Sequence, residues 1–536
     1  MTLEKDIYRV FEDIVGSENI SDDPAILDSY SYHFSAVLIT RNKWMPRPEA
    51  VVLPANPIEV QAVVKACNRW RVRFHAMSTG WGPWNSPIKE GLRVIQIDLR
   101  RMNKILDIDE KNMYTVVEPY VTSGQLQAEL MKRGLCCNII GAGATTTALP
   151  PPKFTGYGQL GTTHSCDNRN LLAVEWVLPT GEILNLGSLG QDAGWFSGDG
   201  PGPSLRGVLR GLMGTMGGNG VFTKGAGKVY HWPGPPVLPK KWFSTSYAPE
   251  SLPRFFKVWS LYFPSWQKLA DFGYKIGESE VGYLVFRCTE YFNFHFLAGS
   301  NEEYMEMVKD FTPPDKVPGY AVLIAADTES EFNYKEKVVR QIITETDAKN
   351  LPLIEDPEVQ TKLMWAWVRD GNMLRPIFRP TGNFNSSFGS LDTIDLAINQ
   401  GRVGARIKKE YIKRKEIMDD GADVGWGIPY EQGHMMHVET VVMGHVSSEG
   451  ATGLRHYERA ADETFLTPSK EFPVCGGTPL GTFGDIQHNR FGPRTSNYHI
   501  WLRKLKEAID PNDASDGSFY ITTSIPNPEL KDKGKK

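Results

Sequence analysis

The chain has 536 residues, 41% hydrophobic and 23% charged, with a formal net charge of −4. That length exceeds one core, so two or more domains are expected, and the near-neutral balance leaves no electrostatic footprint for nucleic acid. Six scattered cysteines make neither a disulfide framework nor a CxxC metal pair. The charged start MTLEKDIYRVFEDIVG lacks a signal peptide's apolar core and no apolar run reaches a membrane span, so a cytoplasmic protein is the default expectation.

Residues 4–15 carry apolar positions at helical spacing; AVVLP (50–54) reads as a strand and PIEVQAVVKACNRW (57–70) as a helix. RFHAM then leads into STGWGPWNSP (78–87), where glycines flank Trp81 and Trp84 follows Pro83. Glycines let a backbone approach a ligand, and a tryptophan there stacks on or blocks it; a surface turn with two partly buried aromatics is the plain alternative. LRVIQIDL (92–99) alternates as a strand, and ILDIDEKNMYTVVEPYVT reads as two short strands around DEKN. SGQLQAELMKRG (123–134) is expected to be a helix capped by the Ser123 hydroxyl and closed by Gly134. The stretch GAGATTTALPPPKFTGYGQLGTTHS (141–165) is too long for a simple connector, and loops of that length serve sites.

Next, LLAVEWVLPTGEILNL (171–186) predicts a hairpin turning at Thr180-Gly181, SLRGVLRGLMG (204–214) a helix, and GVFTKGAGKVYHW (220–232) a strand. Strands alternating with helices give an α+β domain, and PGPPVLPKK (233–241) punctuates its end. The expected division is a first domain over 1–235, a second over 236–475 rich in aromatics, and a segment 476–536 returning to the first. That segment holds an amphipathic helix in 498–520 stopped by Asp510-Pro511.

Four segments then acquire meaning from their joint order: STGWG, RMNKILDIDEKNMYTVVEPYVT (101–122), VEWVLPTGEIL with the threonine-rich loop before it, and GPSLRGVLRGLMGTMGGNGVFTK. With the closing IDPN, they resemble the flavin-binding half of the vanillyl-alcohol oxidase and p-cresol methylhydroxylase family. The resemblance implies FAD held between two small α+β subdomains, with an α+β, ferredoxin-like cap domain over it. This suits a sequence that has no clean GxGxxG after its first strand. A diphosphate needs converging backbone N–H donors. Ser78, Thr79, Gly80 and Gly82 supply one such loop, and Gly161, Thr162 and Thr163 another. The resemblance turns Gly220 and Val221 toward the adenine and adds Pro119 and Trp81 to the cofactor contacts.

Family members often tether the flavin through a histidine or tyrosine. Relatives with histidine in the opening loop use it; here that position is Trp81, leaving His437, or His434, in EQGHMMHVETVVMGHV (431–446). His434, His437 and Glu439 also have H-x-x-H-x-E spacing, with 437 and 439 on one strand face, but no second ligand-rich segment completes a metal site. An ordinary core histidine is open for either.

Phenol-oxidising members hold a phenolate with two tyrosines and an arginine, positions that fall here at Trp81, Gly477 and Thr478. Without those donors a buried phenolate is costly, so para-hydroxybenzylic substrates are disfavoured. His164, Cys166 and Asp167 in THSCDN are the acid–base candidates, near where the family places an acid; a structural turn by Asp167 is equally open. Trp81 and Arg379 complete the catalytic candidates. The expected activity is transfer of a hydride to flavin N5 from an alcohol or from the C–H bond of an aromatic side chain, with reoxidation by oxygen or an electron-carrier protein. The alternatives are a D-2-hydroxy-acid dehydrogenase using Arg379 or Arg375 for the carboxylate, and a non-redox flavoenzyme similar to alkyl-glycerone-phosphate synthase. Family members are commonly dimers or larger, so a homo-oligomer is expected.

Overall fold

The computed structural model describes residues 3–31, 44–80, 93–137, 143–149, 159–164, 170–188, 194–195, 205–209, 215–237, 251–287, 289–311, 317–369, 385–387, 391–422, 425–443, 451–467 and 484–523. The first sheet contains β1 (Ile20–Ser21), β2 (Ala50–Val52), β3 (Arg73–Met77) and β4 (Val94–Asp98) in the order β1-β2-β4-β3. The helix Pro57–Trp70 matches its expected bounds because both ends are written locally. Asn56 accepts hydrogen bonds from the amides of Ile58 and Glu59 at 3.0 Å, and Val60, Val63, Val64 and Cys67 form its buried stripe. β4 corrects the alternation expected of it: all five of its residues are buried. It lies between two parallel neighbours, and a parallel strand is covered on both faces.

The second subdomain comprises β5 (Ile105–Asp109), β6 (Tyr114–Val117), β8 (Leu171–Val177), β9 (Ile183–Leu186) and β10 (Val221–Lys228), and a separate pair joins β7 (Leu135–Cys136) to β11 (Tyr230–His231). The five form one antiparallel sheet in the order β5-β6-β10-β8-β9. The β8–β9 hairpin turns where expected, with Gly181 at φ +89°. The helix Ser123–Met131 is capped one residue earlier than expected. Thr122 Oγ1 accepts from the Gln125 amide at 3.1 Å while Gln125 Oε1 accepts from the Thr122 amide at 3.3 Å. Ser123 is buried instead, its hydroxyl 3.4 Å from that of Thr146.

The second domain is built on β12 (Phe256–Phe263), β13 (Leu284–Arg287), β14 (Val317–Ala325), β15 (Lys349–Asn350), β16 (Asn385–Ser387), β17 (Leu391–Asp392), β18 (Gly425–Tyr430) and β19 (Met435–Val442). Their order is β15-β12-β14-β13-β18-β19-β16, with β17 against β19. Alternation along these strands sorts side chains to two faces. Val322, Ile324, Met436 and Val438 pack under the helices Trp266–Ser279 and Ile394–Lys413. Phe286, Ile428, Tyr430 and Met435 face the other way, into a cluster shared with Leu160, Met216 and Phe519 of the first domain and its returning segment. Trp365 and Trp367 belong to this cluster, Trp367 meeting Phe286 edge-on at 5.3 Å. Among the described residues no helix is long and apolar enough to cross a membrane.

The helix Tyr498–Ile509 stops before Asp510-Pro511 as expected, but its polarity inverts the amphipathic reading. Lys506 is 0% exposed while Trp501 is 62% exposed. Lys506 Nζ lies 2.5 Å from Asp510 Oδ2 and donates to the Ser515 carbonyl at 2.9 Å. Asp510 in turn accepts from the amides of Ala514 and Ser515 at 2.8 and 3.0 Å. Residues 514–516 so held run along the free edge of β3: the Phe74 amide donates to the Ala514 carbonyl, and the Asp516 amide to the Phe74 carbonyl, both at 2.9 Å. Replacing Lys506 with Met leaves Asp510 buried without its cation, so urea unfolding should show a loss of about 3–5 kcal/mol.

Candidate active site at the domain interface

Two groups of backbone and side chains converge around the shared cluster. The first begins where β3 runs out into Ser78, Thr79 and Gly80, all half-buried, with Gly80 at φ +73°. Beside it stands the glycine turn 217–220, in which Gly217 and Gly220 adopt φ +75° and +81°. His75 joins the two, since a Cβ on Gly217 would sit 3.2 Å from its ring. Its Nδ1 lies 3.1 Å from Asp516 Oδ2, both side chains fully buried. Burial alone raises the Asp516 carboxyl, but the His75 ring and the Ser518 hydroxyl outweigh it and hold the group below the usual carboxylate range. Val221 opens β10 directly after the turn, and the Pro119 carbonyl accepts from Thr147 Oγ1 at 2.6 Å.

The second group is the loop 159–164 where it docks on the cap. Thr162 Oγ1 donates to the Pro429 carbonyl of β18 at 2.9 Å. Gly161 lies against the Tyr430 ring so closely that a Cβ would come within 2.1 Å of it. His164 stacks on Tyr230, ring centroids 3.9 Å apart and 4° from parallel. Burial pushes the His164 imidazole below its ordinary value, which favours the neutral form.

His437 pairs with Ile428 across β18–β19, one register step from Pro429, and is fully buried. It shares a strand face with Met435, the face turned to the first domain, and its Nε2 lies 3.4 Å from Glu439 Oε2. His434 does not join it: it sits exposed after the turn Glu431–Gly433, outside the strand, so the apolar setting shared in sequence does not survive folding. The H-x-x-H-x-E spacing therefore does not converge, and among the described residues no group of three His, Cys, Asp or Glu side chains could hold a metal. Trp81, Gly82, Cys166, Asp167, Arg375, Arg379, Gly477 and Thr478 lie outside the described residues. Sequence reasoning missed His75, Tyr430, Ser515 and Asp516, whose contacts span hundreds of residues; His75 alone left a hint, as a polar residue inside an otherwise apolar strand start.

Residues 48–187 match the family described as FAD binding domain. Across 97% of this chain and 98% of the other, the fold superposes on p-cresol methylhydroxylase with substrate bound, with a TM-score of 0.73 and 17% identity. Residues 48–187 are thus similar to an FAD binding domain, and the chain has the fold of p-cresol methylhydroxylase. In sequence it is 27% identical over 240 residues to the 4-cresol dehydrogenase [hydroxylating] flavoprotein subunit of Pseudomonas putida, covering 42% of each chain. It is 29% identical over 179 residues to 1'-carboxy-chondrochloren decarboxylase of Chondromyces crocatus, covering 33% of this chain and 32% of that one. The match thus spans a third to two-fifths of the length of these curated relatives.

The residues present fit FAD. The glycine turn 217–220 packs on His75 and Ala76, the end of the strand that runs out into the glycine-bearing segment 78–80. Asn219 Oδ1 and His164 Nε2 are buried with no hydrogen-bond partner among the described residues, an arrangement that costs stability unless a ligand or water completes it. Gly161→Ala tests the docking of the loop on the cap. The new methyl collides with a buried Tyr430 ring, displacing the loop by about an ångström, and stopped-flow flavin reduction should slow about 100-fold in a folded protein.

Proposed function

We propose that this protein is an FAD-dependent oxidoreductase that removes a hydride from an alcohol or from the C–H bond of an aromatic side chain. The observation that carries the reading is the docking of loop 159–164 on β18, which brings His164 and His437 to one interface between the FAD domain and the cap. Bound FAD supplies a ring that accepts the hydride and later passes its electrons to oxygen or an electron-carrier protein. The polypeptide supplies the rest. Gly80, Gly82, Gly161, Thr162 and Thr163 offer main-chain donors to the dinucleotide, and Gly220 and Val221 present main-chain groups on its adenine side. His164, neutral and oriented by its stack on Tyr230, takes the substrate proton, with Asp167 or Cys166 as further acid–base groups a few residues on. The apolar cluster of Phe286, Tyr430 and Trp367 keeps water from the interface. His437 is the residue for a covalent flavin link, being buried beside the docked loop where His434 is not.

The substrate class is tested by anaerobic bleaching of the flavin with a mixed panel of alcohols, hydroxy acids and phenols. Alcohols should bleach it, whereas para-alkylphenols should leave the spectrum unchanged; tight binding of a para-alkylphenol contradicts the loss of the phenolate ligands at Trp81, Gly477 and Thr478. His164→Gln should slow reduction about 100-fold while FAD still binds. Because burial lowers the His164 pKa, the wild-type rate should begin to fall at a lower pH than an ordinary histidine would set. In His437→Ala, flavin should leave the protein on acid precipitation if the wild type retains it.

A further inference from the structure

We propose that Ser515 is a positioning residue for the FAD site: its hydroxyl clasps both ends of the glycine turn 217–220 and sets that turn's backbone toward the cofactor. The proposal rests on the FAD reading above. Ser515 Oγ donates to the Gly217 carbonyl at 2.9 Å and accepts from the Gly220 amide at 3.0 Å. One hydroxyl can do both, since it carries a donor and two lone pairs. The turn reads Gly217-Gly218-Asn219-Gly220, with three glycines in four residues, so it has little conformational preference of its own. Its shape has to come from outside.

Ser515 can impose that shape because it is itself fixed. Its amide is held by Asp510, its carbonyl by Lys506, and its backbone is bridged to Phe74. It is 0% exposed, so no water competes for either bond. The next residue acts on the same turn from the other side: Asp516 holds His75, whose ring lies under Gly217. The turn also points to a ligand independently, through the buried Asn219 Oδ1 that no described residue engages. A segment 298 positions from the turn therefore completes the cofactor site.

The test is the initial, reversible binding of FAD to apo-protein, followed by quenching of flavin fluorescence before any covalent link forms, alongside thermal unfolding of the apo form. Ser515→Ala should weaken FAD about tenfold or more while far-UV circular dichroism is unchanged, the loss expected for two buried hydrogen bonds. Ser515→Thr, which keeps the hydroxyl, should bind within about threefold of wild type. If the Ala variant does not fold, Ser515→Cys, of similar volume and a weaker donor, takes its place with the same expectation. Wild-type affinity in the variant, even with a lower unfolding temperature, overturns the proposal and leaves Ser515 a structural residue. A wild-type protein that takes up no FAD overturns the cofactor reading itself.

Discussion

Lys506 has no solvent to reach, and that constraint shapes the cofactor domain. A buried ammonium is tolerated only with a counter-charge and further acceptors, which Asp510 and the Ser515 carbonyl provide. Asp510 spends its remaining capacity on the amides of Ala514 and Ser515, so the backbone after Pro511 is drawn into one path. That path lies along the exposed edge of β3, immediately before the glycine loop that starts at Ser78. The last part of the polypeptide thus finishes the first sheet.

The second constraint is the interface between domains. A large antiparallel sheet covered by helices on one face must bury the other, and here the partner is the FAD domain. The apolar cluster draws residues from just before the glycine turn (Met216), the docked loop (Leu160), the cap (Tyr430, Met435) and the returning segment (Phe519). Polar groups within such a cluster need internal partners, which explains why Thr162 bonds across the boundary to Pro429. The apolar packing that joins the domains would also keep water from the hydride transfer proposed above.

Much of the fold was legible. The helix Pro57–Trp70 announces itself through Asn56 and a 3–4 apolar spacing, and the β8–β9 hairpin through Thr180-Gly181, because local rules decide both. The order of the glycine-bearing segments likewise carried the family likeness. What failed depended on tertiary surroundings. β4 looked half-exposed because alternation is a local pattern, whereas a central parallel strand has both faces covered by packed elements. Thr122 rather than Ser123 caps its helix because Ser123 is turned inward beside Thr146. The closing helix looked amphipathic in the ordinary sense, yet its buried face is organised by a lysine. His434 and His437 were indistinguishable in sequence and are separated by the end of a strand. Ser515 gave no signal at all, since a serine in a polar tail is ordinary until the tail is seen against the glycine turn.

The central claim is that the cofactor site is one assembly built from distant segments. Hydrogen exchange of the apo and FAD-loaded protein tests it most directly. FAD should raise protection together at 74–80, 160–164, 217–220 and 514–518. Protection gained at the first three while 514–518 exchanges at its apo rate would contradict the account.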